Sequence, residues 1–221
     1  VKVMENLFSI ENILFSIGGQ GVSLLEFVAV LSGLGCVYLA TQRKVLNFWI
    51  GYLYNFLLFF LFLQKGLYSS MLLQPVSFAI NIFGHYRWTH PAKDEENREK
   101  QLKITLLNKK EWIIIPSVII LFVVIWGTFL SNIHSILPDY FGVARKPYLD
   151  SFVTGMILLA QYLSAQKRLE CWGAWFIVNV TNIVLYLLAG LAFMPMVSAA
   201  YLVLAFFGFA MWRRQWKNEN D

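Results

Sequence analysis

Two indoles and two carboxamides share one face of a single apolar run. Trp172, Trp175, Asn179, Asn182 and Tyr186 lie within the stretch from Cys171 to Ala189. At about 100° per residue they occupy roughly 80° of arc on a helix. The chemistry on offer is reversible binding, since indoles present flat apolar faces and carboxamides present donors and acceptors. Along a membrane-length helix, where lipid supplies no hydrogen bonds, such a stripe is costly unless it meets something polar. It reads as one wall of a solute site.

The elements that must position this stripe are membrane helices. The chain has 221 residues, 58% hydrophobic, 17% aromatic and 14% charged, far from the balance of a soluble domain. A spanning helix needs about 20 predominantly apolar residues, and seven runs qualify, at 24–41, 45–64, 69–88, 112–131, 149–164, 171–189 and 193–212. Strand alternation is absent, which argues against a membrane β-barrel. The class is therefore an all-α, polytopic membrane protein with the lipid bilayer as its partner. Cys36 and Cys171 fall in different halves, with neither metal-ligand spacing nor a disulfide framework. The net charge of +5 is spread over loops instead of one domain face, so a nucleic-acid partner is not expected. Residues 1–22 lack a basic stretch before an apolar core and a small-residue cleavage site; the expectation is a short interfacial helix closed by Gly18, Gly19 and Gly21.

After His134 the chain begins again. A shift of 124 residues aligns Leu25 and Glu26 with Leu149 and Asp150, the basic turn Gln42-Arg43-Lys44 with Gln166-Lys167-Arg168, and Asn55 with Asn179. The same shift carries Gly66 onto Gly190, Gly84 onto Gly208 and Trp88 onto Trp212, without a gap. The division that follows is an N-terminal segment (1–22), a three-helix repeat (23–88), a charged loop with a linker helix and an outer loop (89–148), a second three-helix repeat (149–216) and a tail (217–221). The charged segment from Thr89 to Glu111 reads as a solvated linker. An odd linker helix leaves the two triplets parallel, about an axis along the membrane normal. With the amino terminus outside, 14 of the 18 basic residues lie on the inner side, leaving Lys2, Lys65, Arg145 and Lys146 outside. The positive-inside rule thus puts the carboxyl terminus in the cytoplasm.

Depth places further polar groups beside the stripe. If Trp172 sits at the inner interface, Asn182 is about 15 Å deeper, near the middle of a core about 30 Å thick. Tyr54 and Asn55 on the second run, Gln74 and Asn81 on the third, Gln161 on the fifth and Tyr201 on the seventh reach comparable depth. Each has a plainer reading. Trp88, Trp172 and Trp212 suit an aromatic belt, the asparagines suit bonds between helices, Pro75 suits a kink, and Glu26 and Asp150 suit caps at helix starts. No charged residue falls within the middle of a span, so a proton relay or a sodium-site carboxylate has no candidate. The motifs of zinc proteases, serine hydrolases and nucleotide-binding loops are missing as well, which leaves an enzyme without a constellation, a metal site or a cofactor.

The spacing Trp172-x-x-Trp175-x-x-x-Asn179, the turn Lys65-Gly66-Leu67-Tyr68, and the pairs Gly84 with Trp88 and Gly208 with Trp212 resemble the PnuC-type nicotinamide riboside transporters over residues 25–216. The resemblance implies facilitated uptake of nicotinamide riboside across a bacterial inner membrane, a homotrimer, and a three-plus-one-plus-three plan shared with full-length SWEET sugar transporters. It also fits the residues, because indoles attract a flat cationic pyridinium and carboxamides pair with an amide and ribose hydroxyls. The repeats are unequal here: Phe48 and Gly51 stand where the second repeat has Trp172 and Trp175. A SWEET-like sugar transporter is the nearest competitor, weakened because Pro75 and Pro195 are not equivalent under the shift. A non-transporting membrane scaffold is the other.

Overall fold

A computed structural model describes residues 9–64, 68–95, 97, 101–136, 146–188 and 192–220. Among them seven helices follow a short hairpin: α1 (Leu24–Thr41), α2 (Leu46–Gln64), α3 (Tyr68–Thr89), α4 (Glu111–Ile136), α5 (Pro147–Ala165), α6 (Cys171–Leu188) and α7 (Phe193–Asn220). All seven expected runs are helical. Five are long and apolar enough to cross a membrane. The other two, α3 and α5, have comparable length but carry more polar residues. The turn at Lys65–Tyr68 falls mostly outside the described residues.

The amino-terminal segment departs from expectation where it is described. Instead of an interfacial helix, β1 (Ile13–Ile17) and β2 (Gln20–Ser23) pair antiparallel. Gly18 and Gly19 form the link with φ of 59° and 78°, the left-handed pair that a two-residue hairpin turn requires. Ser23 then caps α1, its hydroxyl accepting from the Glu26 amide at 3.1 Å. Residues 1–8 lie outside the described residues.

Helices adjacent in sequence pack together within each triplet, and α4 packs on α5. Two contacts join the triplets, α1 with α7 and α3 with α5, and the 124-residue shift exchanges one for the other. The detail repeats too. Trp88 Nε1 donates to the Ser164 carbonyl at 3.3 Å and Trp212 Nε1 to the Ala40 carbonyl at 3.1 Å. A Cβ on Gly84 would lie 2.8 Å from the Phe48 ring, and one on Gly208 would lie 2.5 Å from Trp172. Arg43 and Lys167 both take left-handed backbone, φ 57° and 55°. Such a conformation costs a side-chain-bearing residue about 1–2 kcal/mol, and it recurs at the two positions that the 124-residue shift equates.

Within the segment read as a solvated linker, residues 101–107 are instead built into the protein beside the α5–α6 turn. Leu102 and Ile104 are buried with Phe48, Trp88, Trp172 and Trp212. Thr105 forms a parallel bridge with Arg168, its amide donating to the Lys167 carbonyl at 3.2 Å and its carbonyl accepting from the Leu169 amide at 3.0 Å. Glu170 accepts from the Leu107 amide at 2.9 Å, and Glu219, near the end of α7, from the Ile104 amide at 3.2 Å. Residues 101–107 are thus a strap across the α5–α6 turn. Outside the strap, Arg87 holds Glu95 by two hydrogen bonds of 2.8 Å, which keep the Glu95 carboxyl below the usual carboxylate range.

Candidate functional site

Helix α6 presents the stripe as its period requires, but its members meet different surroundings. Trp172 is only 3% exposed. It stands edge-on to Trp212, ring centroids 5.3 Å apart, within the aromatic cluster that also holds Phe48 and Trp88. One turn deeper, Trp175 is half-buried and bridges that cluster to a second one formed by Met156, Ala160 and Val178. Asn179 is buried and turns its amide back onto the Trp175 carbonyl at 2.8 Å. Asn182 and Tyr186 follow, both half-buried.

A second group of polar side chains comes from α1, α2, α3 and α7. Gly33 on α1 leaves room for two phenols, since a Cβ there would strike the Tyr201 hydroxyl and come within 2.9 Å of the Tyr54 ring. The phenols are near enough to influence one another, and Tyr54 is within electrostatic reach of Tyr186 on α6. Cys36, one turn beyond Gly33, is near both Tyr54 and Tyr201, and its thiol donates to the Asn47 carbonyl at 3.2 Å. Gly51 performs a similar service on α2. A Cβ there would lie 2.8 Å from Asn81 Nδ2 and 3.4 Å from Cys36 Sγ. The carboxamide of Asn81 therefore stands over Gly51, the counterpart of Trp175 under the repeat.

Tyr54, Asn81 and Tyr201 thus meet around Gly33, Cys36 and Gly51, and Tyr186 ties this group to the helix that carries Trp175, Asn179 and Asn182. Asn55 and Gln74 are buried on α2 and α3. Trp172 is the exception, enclosed by packing within the aromatic cluster. Sequence reasoning assigns Gly33 no role, and it marks Cys36 only as an unpaired thiol and Gly51 only as the counterpart of Trp175; the run of small residues Ser32 to Cys36, interrupted only by Leu34, marks a place on α1 where neighbours can approach closely.

Charge is absent from this region, because the charged residues of the seven helices lie towards helix ends. Polar groups are not fully satisfied. Asn55 Nδ2, Gln161 Oε1, Trp172 Nε1 and the Tyr201 hydroxyl are buried without a hydrogen-bond partner of acceptable geometry. Groups in that condition cost roughly 1–3 kcal/mol each, which favours structures where water or a solute reaches them. Among the described residues no cluster of His, Cys, Asp and Glu has the makings of a metal site.

A methyl group at Gly33 tests whether the phenols are held rigidly. Gly33→Ala is expected to force Tyr201 aside and to destabilise the bundle by about 1–3 kcal/mol, the usual penalty of overpacking. Thermal unfolding in detergent measures it, and a melting temperature equal to that of wild type would mean that Tyr201 moves without cost.

Comparison with known proteins returns one family. The family model described as "Nicotinamide mononucleotide transporter" matches residues 23–214. The nicotinamide riboside transporter PnuC of Escherichia coli (strain K12) is 30% identical over 227 residues, covering 94% of each chain. PnuC of Neisseria mucosa is 23% identical, covering 87% of this chain and 73% of its own. The riboflavin/roseoflavin transporter RibM of Streptomyces davaonensis is 21% identical over 90% and 88%. The crystal structure of the vitamin B3 transporter PnuC superposes with a TM-score of 0.65 at 21% identity, covering 88% of this chain and 83% of that one. That likeness concerns the fold.

Proposed function

Because the chain belongs to the nicotinamide mononucleotide transporter family, a family of transporters and not of enzymes, we propose that it carries nicotinamide riboside, as its relative from Escherichia coli is named for doing. What supports this reading is an uncharged set of aromatic and carboxamide side chains within the bundle, Trp175, Asn179 and Asn182 on α6 and, tied to that helix through Tyr186, the group around Tyr54, Asn81 and Tyr201. A pyridinium is a flat cation. The Trp175 indole attracts it through its ring face, while Asn81, Asn182 and the Tyr201 hydroxyl suit its carboxamide and ribose hydroxyls. Asn55, Gln74 and Asn179 hold the frame of the same site, and Trp172 supports Trp175 from the inner side.

A site with no buried counter-charge binds a cation without holding it tightly, and it offers no group to couple transport to protons or sodium. Uniport by alternating access follows, with solute moving down its gradient across a bacterial inner membrane. The same reading divides the chain into segment 1–22, repeats 23–88 and 149–216, the loop and linker helix 89–148, and tail 217–221. The repeats are parallel, with α4 between them, the amino terminus outside and the carboxyl terminus cytoplasmic. The equivalent tryptophan bonds and left-handed turns support that arrangement, the basic residues support that orientation, and a homotrimer completes it.

Uptake by proteoliposomes decides the matter. Labelled nicotinamide riboside is expected to enter without an ion gradient and to be competed by unlabelled riboside, but not by glucose or riboflavin. Competition by riboflavin would move the solute towards that of RibM. Absence of any uptake would favour the scaffold reading.

A further inference from the structure

One of the two basic residues of the second repeat's turn, Lys167, meets both the strap and Trp88. Lys167 is 1% exposed. Its ammonium donates to the Leu102 carbonyl of the strap at 2.8 Å and lies 4.7 Å from the centre of the Trp88 ring. Lys167 belongs to one repeat and Trp88 to the other, and the strap lies over both. The left-handed backbone at Lys167 turns its side chain into the seam between them.

The strap is attached very unequally to its two neighbours. Lys167, Arg168 and Glu170 of the second repeat and Glu219 at the end of α7 bind its backbone, while the first repeat meets it through the packing of Trp88 and Phe48 around Leu102 and Ile104 and, at one remove, through Arg87, whose partner Glu95 accepts the Lys103 amide at its carbonyl. Parting at the Trp88 side breaks fewer bonds than lifting the strap. The first repeat has no matching device: Arg43, the counterpart of Lys167, reaches Glu219 on α7 at 3.5 Å.

We infer that Lys167 is the latch of an inner gate. Its ammonium holds Trp88 of the first repeat against the strap and turn of the second, and that contact is exchanged for water when the inner side opens. The inference rests on the transport reading and adds a positioning residue to it. Removing the cation while keeping the stem, as in Lys167→Met, shifts the resting population towards the open inner side.

Cys171 is the reporter, because it is fully buried in the same cluster beneath the strap. Its modification by a membrane-impermeant maleimide is followed in vesicles of both orientations by mass spectrometry of the peptide. In Lys167→Met the rate from the cytoplasmic face is expected to rise on the order of tenfold or more, the scale of a lost desolvated cation–π contact. Lys167→Arg, which keeps the cation, remains near wild type. Trp88→Phe reaches the latch from the other side and raises the rate in the same direction, and the double variant gains less than the product of the two. Unchanged labelling in both single variants overturns the latch. So does equal labelling from the two faces, which marks general loosening. The readout needs no solute, so a failed latch stays distinct from a mistaken solute.

Discussion

Trp175→Ala is expected to weaken nicotinamide riboside binding on the order of 30-fold, the equivalent of about 2 kcal/mol for a desolvated cation–π contact. Trp175 is the indole of the stripe that keeps accessible surface while resting on two packed clusters. Truncation should therefore remove ligand contact first and stability second. Trp175→Phe retains a ring with a weaker quadrupole and should fall between the two. Trp172→Phe supplies the contrast. Trp172 is closed in by Trp212 and by the backbone at Gly208, so its replacement should lower the melting temperature more than the affinity. Titration calorimetry in detergent separates these outcomes. If Trp175→Ala binds the riboside as wild type does, the stripe is not the recognition surface.

The contrast between the two tryptophans shows what a linear reading reaches. Helical periodicity assigns a face within one helix, and the run 24–41 coincides with α1 residue for residue. Periodicity says nothing of what stands opposite. Trp172 and Trp175 share a face, but Trp172 meets α7 at a glycine and Trp175 does not. The 124-residue shift was legible because equivalent packing demands equivalent residues: a glycine where a ring must approach, and a tryptophan where the other triplet presents a helix-end carbonyl.

Two segments escaped for a common reason. Leu102, Ile104 and Leu106 alternate with polar residues within a charged stretch, and an alternation that short counts as a strand only when another edge accepts it. The backbone of the α5–α6 turn is that edge. In the amino-terminal segment Gly18 and Gly19 were read as the close of a helix, whereas a glycine pair between two short apolar runs is the signal of a hairpin turn.

The largest loss of stability is expected from Trp212→Ala. Trp212 has no exposed surface and touches Trp88 and Trp172 on two sides, with centroids 5.9 and 5.3 Å away. Its Nε1 joins α7 to the end of α1. In a soluble core such a truncation costs about 3–5 kcal/mol. Here part of the transfer term is absent, because a membrane-inserted chain keeps apolar surface away from water even when its helices separate. The dispersion contacts and the cavity remain, and they set a loss of about 3 kcal/mol. For a chain of this size that corresponds to a fall of about 6–12 °C in melting temperature. The Ala40 carbonyl is not stranded, since it also accepts the Arg43 amide at 3.0 Å. The cost is therefore one of packing, and Trp212→Phe should recover most of it. Trp88→Ala removes the equivalent bond and, in addition, the ring beneath Lys167. It should match Trp212→Ala in melting temperature and exceed it in cytoplasmic labelling of Cys171. A Trp212→Ala protein that melts within about 2 °C of wild type, less than 1 kcal/mol on the same scale, would mean that the two repeats are held together elsewhere.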